Sequence, residues 1–184
     1  MTDATRDPSR FDPLALRGPE AFARLVAEHQ PMVASLGQSM GLAGHDLDDA
    51  VADAFARIWR ALSGFAGRSQ IRTWIYRIAA RAMLRTVAAR RRDPLRSLGA
   101  FEPAATAGAP DQDAARRQSH EAIWQAVAGL EPRQAAAIEM HYRQGLSVAQ
   151  IAEALDCPAG TAKTLLFRAR DQLRRRLRIE DLQP

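Results

Sequence analysis

Between Asp93 and about Gln112 the sequence stops reading as a helix. Pro94, Gly99, Pro103, Gly108 and Pro110 stand there among alanines, with no stripe of apolar side chains at three- or four-residue spacing. Proline lacks the donor that a helix interior needs and glycine loses the most backbone freedom there, so no single helix can run through. On both sides of the break the apolar recurrence is helical. The chain is therefore expected to be all-α, with two small helical domains, residues 20–92 and 119–184, joined by a flexible linker over residues 93–118. Residues 1–19, rich in charge, proline and small side chains, read as a mobile lead-in. At 184 residues and 47% hydrophobic content the chain can build such cores, which excludes global disorder.

In the first half, Phe22, Leu25, Val26, Met32, Val33, Leu36 and Met40 mark a helix in which Pro31 predicts a kink or break. A second helix is expected from about Asp46 to Leu62, burying Leu47, Val51, Ala54, Phe55, Ile58 and Leu62. Asp46, Asp48, Asp49 and Asp53 crowd its start. Acid in a first helical turn is favourable by about 0.3–1 kcal/mol per group, which explains two of the four; together they also suit a basic partner. Ser63 to Gln70 is a loop, and a helix follows from about Ile71 to Arg92. It keeps Ile71, Trp74, Ile75, Ile78, Ala82 and Met83 inward, while Arg72, Arg77, Arg81, Arg85, Arg90, Arg91 and Arg92 make the rest basic. An aromatic-bearing loop beside such a helix suits a nucleic-acid strand, with charges neutralising phosphates and rings or pockets holding bases. Trp74 itself lies on the apolar stripe and is assigned to the core.

In the second half, Ile123, Trp124, Val127 and Leu130 form one helix face, and Glu131-Pro132 opens another helix with proline at its tolerated first position. Gly145 stops that helix. Ser147 and Gln150 then form a capping-box pattern, in which hydroxyl and amide satisfy the free donors of a first turn. Val148, Ile151, Ala152 and Leu155 give this short helix its apolar face; Asp156-Cys157-Pro158 ends it, because the residue before proline is pushed out of the helical region. The next helix begins near Gly160, with Ala162, Leu165, Leu166, Ala169, Leu173 and Leu177 on one stripe. Lys163, Thr164, Phe167 and Arg168 project away from it. A cation, a hydroxyl, a ring and a guanidinium near a helix start can read base edges in a major groove, and a helix-turn-helix presents its second helix this way.

A formal charge of +5 and a pI near 10.5 suit a polyanionic partner. The single cysteine, Cys157, can form no internal disulfide, which points to a reducing cytoplasm. His29, His45, His120 and His141 are scattered, so no metal site is expected, and no cofactor. No signal peptide or membrane-spanning run is read. No phosphate-binding glycine loop, nucleophile elbow or histidine–carboxylate ligand set occurs, so an enzyme is not expected and no catalytic residue is assigned.

Three motifs in order, Asp48 to Trp59, Arg72 to Ala79 and Leu146 to Arg170, make the chain resemble the extracytoplasmic-function (ECF) group of bacterial sigma factors, the exchangeable subunits that direct RNA polymerase to promoters. The resemblance covers the family's second conserved region, about Glu20 to Arg92, and its fourth, about Ser119 to Leu177. It implies that Asp48, Asp49, Asp53, Arg57 and Trp59 dock on the clamp helices of the largest catalytic subunit of the polymerase core, and that the flap of the second subunit is a further contact. It implies that Phe65, Arg68, Ser69, Gln70, Arg72, Arg77, Arg81 and Arg85 capture the unpaired −10 strand, with one base extruded into the loop. Lys163, Thr164, Phe167 and Arg168 would read the −35 duplex, the amides near Gly160 and Thr161 anchoring a phosphate. The linker would thread toward the active-site and RNA-exit channels, and an anti-sigma protein is an implied partner.

Four positions depart from the family's habit. Ala52 replaces a usual glutamine, Arg68 stands in a loop that is often acidic, Arg81 stands where asparagine is frequent, and Leu165 replaces a frequent arginine. Arg68 and Arg81 add charge, so attraction to DNA should survive while −10 preference shifts; Leu165 should weaken anchoring or local pairing at the −35 end. The competing readings are a stand-alone helix-turn-helix regulator and a protein adaptor that does not bind DNA.

Overall fold

The computed structural model describes residues 18–67, 69–92 and 112–177, giving only the backbone for residues 112–119. Arg68, residues 178–184, most of the expected linker and the expected lead-in up to residue 17 lie outside the described residues. The fold is all-α, and no strand occurs among the described residues. Helix α1 spans Pro19–Ser39, α2 Gly44–Ala61 and α3 Ile71–Arg92. Helix α4 spans Gln112–Ala128, so the last residues of the expected linker are helical; α5 is Pro132–Ile138, α6 Val148–Ala154 and α7 Ala159–Leu177.

Of the kink or break expected at Pro31, the break does not occur: α1 runs through it. Proline inside a helix removes one hydrogen bond, but Leu25, Met32, Val33 and Leu36 bury a continuous face on either side of it while Pro31 itself is exposed. Packing holds the helix together where local preference would end it. Gly37 is what lets three helices meet: a Cβ there would stand 2.5 Å from Leu47 Cδ1 and 3.2 Å from Met83 Cε. Around that crossing Leu36, Ile58, Ile75, Tyr76 and Met83 are fully buried.

In the C-terminal half, Glu131 caps α5 by accepting from the amides of Arg133 and Gln134 at 3.1 and 3.2 Å. Beyond α5 the helix widens into a π-helical turn, Glu139–Arg143, and closes at Gly145, whose φ of 67° suits only glycine comfortably. Ser147 and Gln150 make both capping-box bonds, 3.3 and 2.9 Å, and α6 starts there as the sequence predicts. Its end differs in cause from the expectation. Asp156 takes the left-handed conformation, φ 52°, and the Cys157 amide bonds back to Ala152 O at 3.0 Å, so a left-handed cap turns the chain before Pro158 can act.

The two halves are packed together. Helices α1 and α3 lie against α5, the π-turn and α6, and the buried side chains of both halves form one continuous cluster.

Candidate nucleic-acid interface

The helix-turn-helix is built from inside. Ile151, Ala152 and Ala154 of α6, Leu155 at its end, and Ala162, Leu166 and Ala169 of α7 are buried, with Leu165 and Leu173 partly so. That stripe fixes the roll of α7, and at about 100° per residue it turns Lys163, Thr164, Phe167 and Arg168 outward. All four are exposed, Phe167 by 70%. Gly160 and Thr161 are exposed in the first turn, where amides lack intrahelical acceptors. Thr164 donates its hydroxyl to Gly160 O at 2.9 Å, leaving its lone pairs outward as acceptors. The four residues that sequence reasoning grouped are thus grouped in space. Leu165 sits on the packing side, so the departure there contributes to the core.

The residues expected at the −10 strand are divided. Arg77, Arg81 and Arg85 recur every four residues along α3, a spacing that aligns them on one side. Arg72 leaves that side and donates to Gln144 of the C-terminal half. Phe65, expected among the −10 residues, is only 5% exposed and packs on Trp74, ring centroids 4.9 Å apart, so it anchors the loop from below. Trp74 is core, as its stripe predicts. Ser69 and Gln70 remain on the surface loop, the first partly buried and the second exposed.

Two of these arginines end on acids of the helix-turn-helix. Arg81 Nη2 lies 2.6 Å from Asp156 Oδ2, and Arg77 Nη1 lies 3.7 Å from Glu153 Oε1. Gln150 reaches Gln70 at 3.4 Å. Sequence reasoning did not single out Glu153 and Asp156 as partners; two acids one turn apart, against arginines one turn apart, were the available signal.

Behind these pairs Glu139 is wholly buried between the halves. Its Oε1 accepts from Ser35 Oγ at 2.7 Å and from Gln144 Nε2 at 3.2 Å. Its Oε2 lies 3.5 Å from Arg143 Nη1, close enough for an ion pair and too long for a good hydrogen bond. The Arg143 guanidinium also stacks 3.7 Å from the Trp124 ring centroid. Nearby, the Tyr76 hydroxyl is buried without a partner among the described residues; burial first, and the Glu139 charge second, hold the phenol far above its usual pKa. His29, in the cleft with Arg72 and Gln144, is pushed below the usual histidine range by burial, with Arg72 adding and Glu28 opposing.

The acidic residues of α2 also divide. Asp46 pairs with Arg90 at 2.9 Å, and Arg90 donates to Gly41 O at 3.2 Å, a link that ties α2 to α3. Asp53 pairs with Arg57 at 2.6 Å, whereas Asp48 and Asp49 are exposed. Trp59 is 42% exposed and braced edge-on by Phe22, centroids 4.7 Å apart. Asp48, Ala52 and Phe55 line an open groove against Val26, Gln30 and Ala34 of α1. Among the described residues no cluster of histidine, cysteine and acid could hold a metal, and no helix is long and apolar enough to cross a membrane.

Comparison with known proteins finds Sigma-70 region 2 matched over residues 25–93 and Sigma-70 region 4 over residues 120–173. The ECF RNA polymerase sigma-E factor of Escherichia coli (strain K12) is 34% identical over 163 residues, covering 84% of this chain and 85% of the relative. The protein of the same description from Haemophilus influenzae is 28% identical over 167 residues, covering 86% and 88%. In fold, the chain is similar to one in the complex of CnrH with the cytosolic domain of CnrY, TM-score 0.65, 24% identical, covering 93% of this chain and 97% of that one. It is also similar to a chain in the complex of the sigma factor RpoE with the anti-sigma factor NepR from Bartonella quintana, TM-score 0.65, 23% identical, covering 87% and 98%.

Proposed function

The chain belongs to the ECF group of RNA polymerase sigma factors, and from that membership we propose how its own residues divide the work of promoter recognition. It binds polymerase core and directs promoter recognition, melting and transcription initiation. Lys163, Thr164, Phe167 and Arg168 read the −35 duplex, and the amides of Gly160 and Thr161 hold a phosphate. The observation that carries this is the outward set on α7: a phenyl ring left 70% in water beside a lysine and an arginine, on a helix whose other side is fixed by packing. The exposed ring suits contact with a thymine methyl, and the cations beside it suit base edges or phosphates.

Arg77, Arg81 and Arg85, with Ser69, Gln70 and Arg68, meet the unpaired −10 strand, the arginines mainly through phosphates. Phe65 and Trp74 support that loop from within and do not offer it a stacking surface. Asp48, Asp49 and Trp59 are the parts of α2 free to dock on the clamp helices of the largest polymerase subunit, with Asp53 and Arg57 beside them; the flap of the second subunit takes the C-terminal half. The protein acts by binding, with no catalysis of its own, in the bacterial cytoplasm where polymerase works. An anti-sigma protein, as is bound to the RpoE relative, is the expected antagonist.

A stand-alone regulator would need only the C-terminal half; matches to both sigma regions in order disfavour that reading. The deciding experiment is reconstitution of the purified chain with core polymerase on genomic DNA, followed by mapping of transcript 5′ ends. Defined new start sites sharing two spaced motifs are expected. No start sites beyond those of core alone would overturn the assignment.

A further inference from the structure

We propose that the cleft between α1, α3 and the end of the π-helical turn binds a small phosphorylated molecule, its phosphate held by His29, Arg72 and Arg143. The cleft encloses about 560 Å³, within the range of small-molecule sites. Two of the three groups lack a partner that their burial calls for. Arg72 is half-buried and donates to the amide oxygen of Gln144, a neutral group; no carboxylate pairs with it among the described residues. His29 is 9% exposed, and no hydrogen bond reaches its ring among the described residues. Its neighbour Glu28 stands 3.9 Å from Nε2, too far for a hydrogen bond, with its side chain 76% in solvent. A cation and an imidazole withdrawn from water in this way are costly unless an acceptor meets them.

One buried oxygen aims both guanidiniums. Glu139 Oε1 accepts from Gln144, which holds Arg72, and from Ser35, which accepts from Arg143. Arg143 also answers the Glu139 charge at 3.5 Å, so Arg72 remains as the charge without a counter-ion. Each guanidinium carries five N–H donors, more than these bonds use. A carboxylate is satisfied by one guanidinium fork, whereas two forks from different elements with an imidazole N–H suit a tetrahedral dianion. Pro31 and Met32 line the same cleft and offer the organic part of a phosphate ester an apolar wall. A dianion beside His29 favours the imidazolium against burial and Arg72, so binding takes up a proton and tightens as pH falls through the histidine range. The other charged or titratable groups around the cleft are Glu28 on α1, Arg72 and Tyr76 on α3, and Glu139 and Arg143 on the π-turn. Of these Glu28, at the rim, is the one that competes with an anion for the ring.

The test is calorimetric titration of the full chain in chloride at an ionic strength of about 0.15 M, which holds the screening of surface arginines constant. Sulfate is the first probe, because it is a tetrahedral dianion that does not itself titrate near neutrality; phosphate, AMP and adenosine follow. Sulfate should fill one saturable site, about three-fold or more tighter at about pH 6 than at about pH 8, with uptake of a proton. Arg72→Gln and His29→Gln should each weaken it about ten-fold or more, and His29→Gln should also abolish the proton uptake. Glu28→Gln should tighten it, while Arg91→Gln, an exposed arginine near the far end of α3, should leave it unchanged. AMP bound more tightly than phosphate, with adenosine not bound, identifies a phosphate ester as the ligand; AMP and phosphate bound equally identify the free ion and keep the site. No saturable binding, sulfate binding independent of pH, a loss in Arg91→Gln equal to that in Arg72→Gln, or adenosine bound as well as AMP would overturn the site. Should Arg72→Gln or His29→Gln fail to fold, the pH dependence of the unaltered chain and the gain in Glu28→Gln still decide.

Discussion

On α7, Lys163, Phe167 and Arg168 reach into solvent, whereas on α3 Arg77 and Arg81 end on carboxylates of the opposite half. Both surfaces are built alike, from a helix whose apolar stripe fixes its roll and turns basic side chains outward. They differ in what stands across from them. The α7 surface faces nothing among the described residues, and the α3 surface faces the acidic side of α6. Sequence periodicity gives the direction in which a side chain points, and only the tertiary arrangement gives what it meets. One basic surface can therefore stand open while another is occupied by the chain itself.

The largest effect should come from removing the support under the α3 surface. Trp74 is 6% exposed and carries Phe65, so Trp74→Ala should destabilise the fold by about 3–5 kcal/mol, read from urea unfolding. Initiation should fall with it because the loop that follows Phe65 loses its anchor. A cost below about 1 kcal/mol would mean that the pair does not hold the loop.

On the open surface, Arg168→Ala leaves the core untouched and should reduce discrimination for the preferred −35 sequence by about 1–3 kcal/mol, measured as initiation on matched and altered templates. An equal loss on every template would assign Arg168 to a phosphate and make the α7 surface more like that of α3.

The parts of this comparison that were legible in the sequence are the local ones. Ser147 with Gln150, Glu131 with Pro132, and Gly145 each act within a few residues, so spacing alone locates the helix starts and stops they make. The α7 stripe is equally local, which is why Lys163, Thr164, Phe167 and Arg168 emerge together. At Pro31, of the kink or break that the sequence offers, there is no break, because the burial of Leu25, Met32, Val33 and Leu36 outweighs one missing hydrogen bond. The end of α6 was placed correctly but credited to Pro158, when the left-handed Asp156 makes the turn. The arginines of α3 looked like one basic face; in fact Arg72 binds Gln144 just past the π-turn, Arg90 binds Asp46 and Gly41, and Arg81 binds Asp156. Each of those partners is distant in sequence or on another helix, and periodicity carries no record of it. The departure at Arg81, read as added attraction for DNA, also gives the chain an internal partner for Asp156.

A third test uses pH to probe the cleft between the halves. Burial, aided by Arg72, holds His29 below the usual histidine pKa of about 6.5, so below that pH the unfolded chain takes up the proton more readily than the folded one. Its contribution to stability is complete above about pH 6.5 and is lost as pH falls below it. The urea midpoint should decline on acidification through that range, and His29→Gln should decline less. Identical pH profiles for the two proteins would remove His29 from the account.

The smallest effect should be the ion pair between α3 and the helix-turn-helix. Arg81 and Asp156 are well solvated, so a double-mutant cycle with Arg81→Asn and Asp156→Asn should give a coupling of about 0.2–1 kcal/mol in unfolding, shrinking as salt is raised. Asparagine tolerates the left-handed cap at 156, which keeps the cycle free of backbone strain. Glu139 is fully buried and accepts a hydrogen bond from Ser35 of the other half, so the larger share of the polar contact between the halves lies there. A coupling well above about 1 kcal/mol would instead make Arg81 and Asp156 a principal tie between the halves, and would set the α3 surface further apart from the open one on α7.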